Sequence, residues 1–380
     1  MELSTFLQQS VNAISIGAIY ALFALGYALV FSILGVLNLA HSAIFMWGAF
    51  IGLLALDPEQ APVLIAFSVA ASIMAIPYYG IERYGIQRFP KVIDERIMRF
   101  ILLVLRIFLL WLAWTIGGYI YNAVIGLIGE RLINIAPILA VIIAMIGGGI
   151  ISILLELVAF RPLRARNAAR LAQLISSIGA ALVLVNLAQF AYQALFQRTE
   201  AYYPRDIALL AFVPTEAINA GGVVIAPIRI VILVVAIVLM IALQYMVTRT
   251  QIGQQMRAVA FKESIASLLG IDVSRVYLIT FFLAGAFGGV AGILYGITFS
   301  NVTPFIGENI SLVGLTAIVL GGLGSIQGAV IGGFLVAIIQ TFSVAFGGSS
   351  YRNAIVFIVL FLVLLIRPQG LLGQPEQNRA

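Results

Sequence analysis

The sequence predicts an all-α fold, a bundle of membrane-spanning helices in which 1–380 form a single transmembrane domain. Of the 380 residues, 62% are hydrophobic and only 9% are charged, and the mean hydropathy is +1.12. A soluble domain of this size could not cover its surface with so few charges. The apolar runs are long enough for membrane helices, which need about 20 residues each. The 36 glycines are typical of membrane helices that pack closely.

Eleven apolar segments are predicted to cross the membrane. They lie at 10–35, 42–56, 62–81, 100–128, 135–160, 171–196, 229–247, 276–299, 312–323, 326–346 and 353–366. The segment at 312–323 is short for a full span. An odd number of crossings places the two termini on opposite sides of the membrane.

Basic residues divide unequally between the loops on the two sides. Fifteen lie on one side: Arg83, Arg88, Lys91, Arg96, Arg99, Arg161, Arg164, Arg166, Arg170, Arg249, Arg257, Lys262, Arg275, Arg367 and Arg379. Five lie on the other: Arg131, Arg198, Arg205, Arg229 and Arg352. Because cytoplasmic loops carry the excess of Lys and Arg, the first set is predicted to be cytoplasmic. The C-terminus is then inside and the N-terminus outside.

Residue usage argues against several kinds of protein. The chain has no cysteine and one histidine, so it offers no transition-metal cluster. Its only lysines are Lys91 and Lys262, and it has no P-loop motif, so we expect no ATP hydrolysis and no catalytic site in this chain. It shows no patterned basic patch for nucleic acid.

Acidic residues are almost missing from the predicted spans. Glu156 is the clearest, and we expect it to pair with Arg161 about one helical turn away. Proton-driven carriers and carboxylate-lined cation pores usually keep several such groups. Their scarcity favours a path for a neutral or zwitterionic solute.

Two short segments interrupt the apolar pattern and resemble each other. Val36–Ser42 and Val319–Ser325 both begin with Val-Leu, pass through small or polar residues and reach serine. Transporters built from internal repeats often place broken helices at matching positions around a central path. The residues predicted to line this path are Asn38, His41, Ser42, Gly321, Gly322, Gly324, Ser325 and Gln327.

Simpler roles stay open for some of these residues and their neighbours. His41 can hydrogen-bond a neighbouring backbone group, and Asn38 can serve as a turn or N-cap residue. The close-spaced Gly328, Gly332 and Gly333 are typical of helix packing as well as of a path.

The cytoplasmic loop 248–275 contains a pattern that predicts a short amphipathic helix. Within 261–271, Ile265, Leu268 and Leu269 fall on one helical face, and Gly270 is placed to end the helix. Such a helix can enter a partner's groove or lie on the lipid surface.

The external loop 197–229 is the longest on its side. It contains three prolines, two adjacent glycines and the apolar stretch Val223–Ile225. It either docks a soluble partner or only connects two spans.

Several segments follow one another in order over most of the chain: Asn12–Leu22 with Ala24–Tyr27, Asn38–His41, Phe160–Arg164, Leu174–Gly179, Met256–Ala258 through Gly270–Ile271, Val319–Ser325 and Arg367–Leu371. Together they resemble the permease subunits of branched-chain amino acid ABC importers. The resemblance implies a type II-like ABC importer permease. Relatives carry branched-chain or other neutral amino acids, and also urea or short amides.

The resemblance also implies partners and a location. A second permease subunit, usually homologous and non-identical, would lie beside this chain in the plasma membrane (the bacterial inner membrane) among its lipids. Two cytoplasmic ATPase subunits would use the ATP, so this chain would bind no cofactor, and a soluble binding protein would deliver the solute. The loop 248–275 would be the coupling loop that contacts the ATPase. Its contact residues would be Lys262, Glu263, Ala266, Leu269 and Gly270.

The chain departs from the family's pattern in three places. Ser264 and Ile265 differ from the usual coupling loop, and Ser42 and Ala43 stand where relatives often have Gly-Glu. The stretch 82–134 is expected to be an insert with an even number of crossings. The alternatives from other classes are a passive channel for small neutral solutes and a secondary carrier driven by an ion gradient.

Overall fold

The computed structural model describes residues 3–56, 136–166, 168–196, 201–203, 216–220 and 222–373. The chain divides into two compact units, 1–50 with 144–380 and 51–143. The predicted spans at 62–81 and 100–128 and the predicted insert at 82–134 lie outside the described residues. The fold below is therefore mainly that of the first unit.

The described residues form twelve α-helices and four short strands. The helices are α1 (Leu3–Leu34), α2 (His41–Leu56), α3 (Ala136–Leu155), α4 (Arg161–Ala165), α5 (Arg170–Phe196), α6 (Pro227–Arg249), α7 (Gln251–Phe261), α8 (Glu263–Leu268), α9 (Val273–Phe299), α10 (Ile306–Gly321), α11 (Ile326–Ala345) and α12 (Arg352–Ile366). A π-helical turn (Glu156–Phe160) joins α3 to α4, and a 3-10 turn (Ser349–Tyr351) precedes α12. The strands are β1 (Ala201–Tyr202), β2 (Ile218–Ala220), β3 (Val223–Ile225) and β4 (Asn301–Val302).

Seven helices in the described part of the chain are long and apolar enough to cross a membrane. They span Leu3–Leu34, Pro137–Ala165, Arg170–Ala191, Pro227–Arg249, Val273–Phe299, Ile326–Ala345 and Ser349–Ile366. The shorter α2 and α10 are also apolar. Every predicted span that falls on described residues coincides with a helix, so the prediction of a polytopic helical fold is confirmed.

Two helices begin well before their predicted starts: α1 begins at Leu3, seven residues before the predicted 10, and the second lies at the segment predicted at 312–323. The helix α10 begins at Ile306 instead, six residues earlier, and ends at Gly321. The polar residues Glu308 and Asn309 hid this start. A carboxylate in the first turn is favourable there, because the N-terminal end of a helix carries partial positive charge.

Helix α1 is the central helix of the first unit. Residues 17–30 are all buried, and α1 packs against α6, α9, α10 and α11. A helix that is apolar all round is expected to be buried on all sides. The central position of α1 brings residues 17–30 into contact with helices from distant parts of the chain.

Three glycines of α11 allow close helix packing. An added Cβ would overlap the backbone of Gly321 at Gly328, of Ala317 at Gly332 and of Ala21 at Gly333. Close backbone approach is the usual role of small residues in membrane helices. The packing interpretation of Gly328, Gly332 and Gly333 is therefore confirmed.

The described part of the loop predicted to be external, 197–229, forms a hairpin beside the N-terminal end of α1. Strands β2 and β3 pair antiparallel, with Ile218 opposite Ile225. The Gln8 side chain donates to the Val224 carbonyl over 3.0 Å and accepts from the Val224 N–H over 2.8 Å. The hairpin is thus fixed to α1 by the hydrogen bonds that another strand would make. A docking role for this loop stays a prediction.

Candidate solute path and coupling loop

The first interruption of the helices, residues 35–40, leads back into the interior of the protein. Gly35 ends α1 with φ +66°, and its N–H donates to the Phe31 carbonyl over 2.8 Å. Only glycine adopts this conformation without steric cost. The Leu39 N–H donates to Ser177 Oγ on α5 over 3.3 Å, and α2 then begins at His41.

The imidazole of His41 lies between α1 and α9. An added Cβ at Gly26 would be 2.8 Å from both Cε1 and Nε2 of the ring, and one at Gly288 would be 3.0 Å from Cε1. Gly26 precedes the end of α1 by about eight residues, or roughly 12 Å of helix. Residues 35–40 therefore run back along α1. Because Gly26 and Gly288 have no side chains, they leave space between α1 and α9 for the imidazole ring of His41.

Two uncharged polar side chains meet at this point, and a third buried polar residue, Asn38, is joined to them through its backbone. The His41 ring stands edge-on to the Tyr27 ring, with 5.5 Å between the centroids. The backbone N–H of His41 donates to the Asn38 carbonyl over 3.0 Å. Asn38 and His41 are each 1% exposed. We call Tyr27, Asn38 and His41 the buried polar cluster. Sequence analysis missed Tyr27, which lies in an otherwise apolar part of α1.

The buried polar cluster is short of hydrogen bonds. The Tyr27 hydroxyl, both atoms of the Asn38 carboxamide and both ring nitrogens of His41 have no hydrogen-bond partner among the described residues. The Phe23 backbone is within electrostatic reach of the imidazole but does not meet hydrogen-bond geometry. The side chain of Asn38 thus does not cap α2, so the N-cap interpretation is wrong, whereas the turn interpretation is confirmed because the Asn38 carbonyl accepts from the His41 backbone N–H across the turn at 39–40. Buried polar atoms without a partner are rare and call for an explanation.

Aromatic rings close the cluster on one side. The Phe23 ring stacks on His41 with 4.9 Å between the centroids, and Phe45 meets Phe23 edge-on at 5.4 Å. The cluster therefore combines hydrogen-bonding groups with an apolar wall.

Ser42, the remaining path residue from the first interruption, has local partners. Its hydroxyl donates to the Leu39 carbonyl over 3.0 Å. Its own carbonyl lies against the start of α10, where an added Cβ at Gly307 would be 2.7 Å from the oxygen.

The second interruption, residues 322–325, lies between α10 and α11. Gly322 and Gly324 have φ +112° and +83°, and Ser325 Oγ accepts from the Gly328 N–H over 3.0 Å to cap α11. The segment after α12 crosses the end of α10. The Leu371 and Leu372 N–H groups donate to the carbonyls of Leu320 and Gly321 over 2.9 and 2.8 Å.

The two interruptions do not meet in this structure. Gly307 lies beside Ser42, and Gly321 follows it along the same helix by about 14 residues, or roughly 21 Å. Gly324 and Gln327 are exposed. Of the predicted path residues, the structure therefore places Asn38 and His41 together and Ser42 next to them. The second set, Gly321, Gly322, Gly324, Ser325 and Gln327, lies apart.

The coupling loop folds into two helices where the sequence predicted one. The unpredicted helix is α7, which Thr250 caps by accepting from the Gly253 N–H over 3.2 Å. The predicted short helix is present as α8, with Lys262 at its N-cap and Glu263 as its first residue. Both helices lie between α6 and α9.

Gly270 ends α8 as predicted. It has φ +82°, and the N–H groups of Gly270 and Ile271 donate to the carbonyls of Ser267 and Ala266 over 3.1 Å each. This pair of bonds is a Schellman motif, which needs a left-handed residue at Gly270. The predicted geometry of the helix end is confirmed.

One face of α8 is apolar and exposed. Leu268 is 86% exposed and Leu269 74%, whereas Ala266 on the other side is 1% exposed. Exposed apolar residues in such a cluster mark an interaction surface. Ala266 anchors the helix on the protein, and the leucines point away from it.

Glu156 pairs with a basic residue, as predicted, but the partner shown is Arg164. The guanidinium makes two contacts, Nη2 to Oε1 over 2.5 Å and Nη1 to Oε2 over 3.2 Å. Arg161, the predicted partner, also acts electrostatically on this carboxylate. The difference arises from the π-helical turn, which adds a residue to the helix between Glu156 and Arg164.

The chain is similar to known permeases over its whole length. The family model for the branched-chain amino acid transport system permease component matches residues 10–126 and 113–364. A high-affinity branched-chain amino acid transport system permease protein, BraD of Pseudomonas aeruginosa, is 31% identical over 384 residues, covering 100% of this chain and 99% of the relative. LivH of Escherichia coli, which carries the same description, is 31% identical over 381 residues, covering 98% and 97%. No solved structure matches the chain significantly.

Proposed function

Because this chain belongs to the family of branched-chain amino acid transport system permease components, we propose that it is the membrane subunit of an ATP-driven importer of branched-chain or other neutral amino acids. The observation that carries this substrate class is the full-length similarity to permeases with that description. The chain catalyses no reaction and binds no cofactor, since partner ATPase subunits use the ATP. A second, homologous permease subunit and a soluble binding protein complete the importer.

The solute path passes the buried polar cluster. Tyr27, Asn38 and His41 supply donors and acceptors without a fixed charge, which suits a zwitterion whose two charges cancel. Phe23 and Phe45 offer an apolar wall for a branched side chain. The cluster is closed in this structure, because Asn38 and His41 are 1% exposed. Entry therefore requires residues 35–40 to move, as in a transporter that opens to one side at a time.

The second interruption belongs to the cytoplasmic end of the path. Gly321, Gly322, Gly324, Ser325 and Gln327 lie at the end of α10, away from the buried polar cluster. Left-handed glycines there permit a change of direction between α10 and α11. Ser42 belongs with the buried polar cluster, since its carbonyl faces the opposite end of α10, beside Gly307.

The exposed face of α8 docks on the ATPase. Leu268 and Leu269 are the apolar side chains available to a groove, and Lys262 and Glu263 flank them with charge. The buried Ala266 packs the helix against the rest of the protein, and Gly270 ends it. The termini follow from the basic residues, with the N-terminus outside and the C-terminus in the cytoplasm.

The test is uptake of radiolabelled leucine in cells that lack this gene and in the same cells complemented with it. We expect uptake to be restored, to require ATP and the partner ATPases, and to be competed by isoleucine and valine. Restored urea uptake without a leucine signal would identify an importer of urea or short amides instead. Leucine flux that persists without the ATPases would identify a passive channel.

A further inference from the structure

Four side chains form a line from α8 to the transmembrane helix α3. Helix α8 packs against α9, and Glu263, the first residue of α8, acts electrostatically on Tyr277 of α9. The Arg164 guanidinium lies over the Tyr277 ring, with Cζ 4.0 Å from the centroid. The same guanidinium holds both carboxylate oxygens of Glu156.

The inner end of this line is buried and the outer end reaches the surface. Glu156 is 1% exposed and Tyr277 4%, whereas Glu263 is exposed. A buried carboxylate is costly unless it is paired and hydrogen-bonded, so Glu156 follows the position of its partner. Arg164 is that partner. The face of its planar guanidinium stacks on Tyr277 of α9, and its edge makes the bidentate pair with Glu156.

The helix that carries Glu156 and Arg164 is irregular between them. The Arg161 N–H donates to the Glu156 carbonyl five residues back, and Pro162 lacks the N–H that a regular turn would use. Residues eight apart in a regular α-helix point about 80° away from each other. The extra residue in the π-helical turn removes this offset, so the ion pair and the irregular turn depend on each other.

We propose that Arg164 is a positioning residue that transmits movement of α8 to α3 through Tyr277 and Glu156. Movement of the ATPase contact displaces Glu263 and with it the Tyr277 hydroxyl. Arg164 follows the ring and changes the geometry of the π-helical turn, which reorients α3. This inference rests on the proposed function, because it takes α8 to be the ATPase contact.

The test is solute-stimulated ATP hydrolysis by the complete transporter in lipid vesicles, with binding protein and leucine. Tyr277→Phe keeps the ring under Arg164 and removes only the hydroxyl, the group on which Glu263 acts electrostatically. Arg164→Lys keeps the charge but loses stacking and bidentate pairing. We expect each to lower the ratio of stimulated to basal hydrolysis by about fivefold or more, the lower end of common coupling energies, with the ATPases still bound.

The effects of Tyr277→Phe and Arg164→Lys on stimulated hydrolysis should not add, because both changes break the same series of contacts. The double variant is expected to match Arg164→Lys alone, whereas independent effects would multiply. The matched controls are Tyr245→Phe, a tyrosine that is 65% exposed, and Arg166→Lys, an exposed arginine close to Arg164. Both controls should retain full stimulation.

Normal stimulation in Tyr277→Phe would overturn the proposal, and so would multiplying effects in the double variant. Arg164→Lys could also fail to fold, and Tyr277→Phe then decides alone. A native complex that binds no ATPase, or whose ATP hydrolysis does not respond to leucine, would overturn the proposed function as well. The two failures are therefore distinguishable.

Discussion

At the scale of single residues, the buried polar cluster carries a cost that packing does not repay. A buried polar atom without a partner costs about 1–3 kcal/mol, and Tyr27, Asn38 and His41 carry five buried polar atoms that have no partner in the described part of the chain. Proteins are stable by only about 5–15 kcal/mol. Apolar side chains in these positions would stabilise the resting protein. Under the proposed function, the passing solute supplies the partner that these polar groups lack.

Replacing Asn38 with leucine is expected to reduce transport and leave the fold intact. The change removes no hydrogen bond of the Asn38 side chain to the described residues, so the midpoint of thermal unfolding should stay the same or rise. Hydrogen bonds to charged groups are worth about 1.5–3 kcal/mol, so leucine uptake should fall by roughly tenfold or more. The matched control is Asn186→Leu, whose carboxamide donates to the Leu182 carbonyl on an exposed helix face. A lowered unfolding midpoint with normal uptake per folded protein would assign Asn38 a structural role.

Replacing Gly288 with alanine is expected to displace the His41 ring. The added methyl group would lie 3.0 Å from Cε1, and overpacking of this kind costs about 1–3 kcal/mol. Leucine uptake should fall while the protein still assembles with its ATPases. At Gly179 an added Cβ meets none of the described residues within 4 Å, so Gly179→Ala should leave uptake unchanged. Equal uptake in both variants would show that the ring position does not matter.

Sequence patterns revealed only part of this cluster. Asn38 and His41 stood out because polar residues are rare in an apolar chain. Tyr27 did not, because α1 is apolar on every side and its sequence marks no face. The sequence also did not reveal the partner of Glu156, because a π-helical turn changes which later residue of the helix lies on the same face as Glu156. Pro162, which lacks a backbone N–H, was the sequence signal that the helix is irregular there.

At the scale of elements, α8 is a short helix that packs on α7 and α9. Ala266 fastens it to the protein and Gly270 ends it, whereas the leucine face is exposed. The amphipathic pattern predicted this helix because its apolar positions are three and four residues apart. Helix α7 escaped prediction although Met256 and Val259 are buried and Ile252, Met256 and Val259 stand four and three residues apart, the same spacing that predicted α8.

Replacing Leu268 with glutamate is expected to release the ATPase subunits and leave the membrane fold unchanged. Leu268 is 86% exposed, so the charge disturbs no core, but a charge placed in an apolar groove has no partner and is costly. The measurement is the amount of ATPase that co-purifies with the permease. Ser267→Glu adds the same charge on the opposite face of α8 and should retain the ATPase. Full retention in Leu268→Glu would favour the alternative that this helix lies on lipid.

At the scale of the whole molecule, hydropathy predicted where the helices are and not how they meet. Long apolar runs can only be helices in lipid, so every described span was found. Their arrangement depends on contacts between distant parts of the chain. The central place of α1 and the separation of the two interruptions along α10 arise from such contacts. The internal repeat, which rests on a short sequence match, stays a prediction.

The orientation of the molecule depends on basic residues alone and can be tested cleanly, because the native chain has no cysteine. Single variants Ala217→Cys in the external hairpin and Ser267→Cys in α8 introduce one exposed thiol each. A membrane-impermeant maleimide should label the first in intact spheroplasts and the second only after the membrane is opened. Labelling in the opposite pattern would reverse the topology. It would also place α8 out of reach of cytoplasmic ATPases, so this experiment tests at once the charge rule and the assignment of the coupling loop.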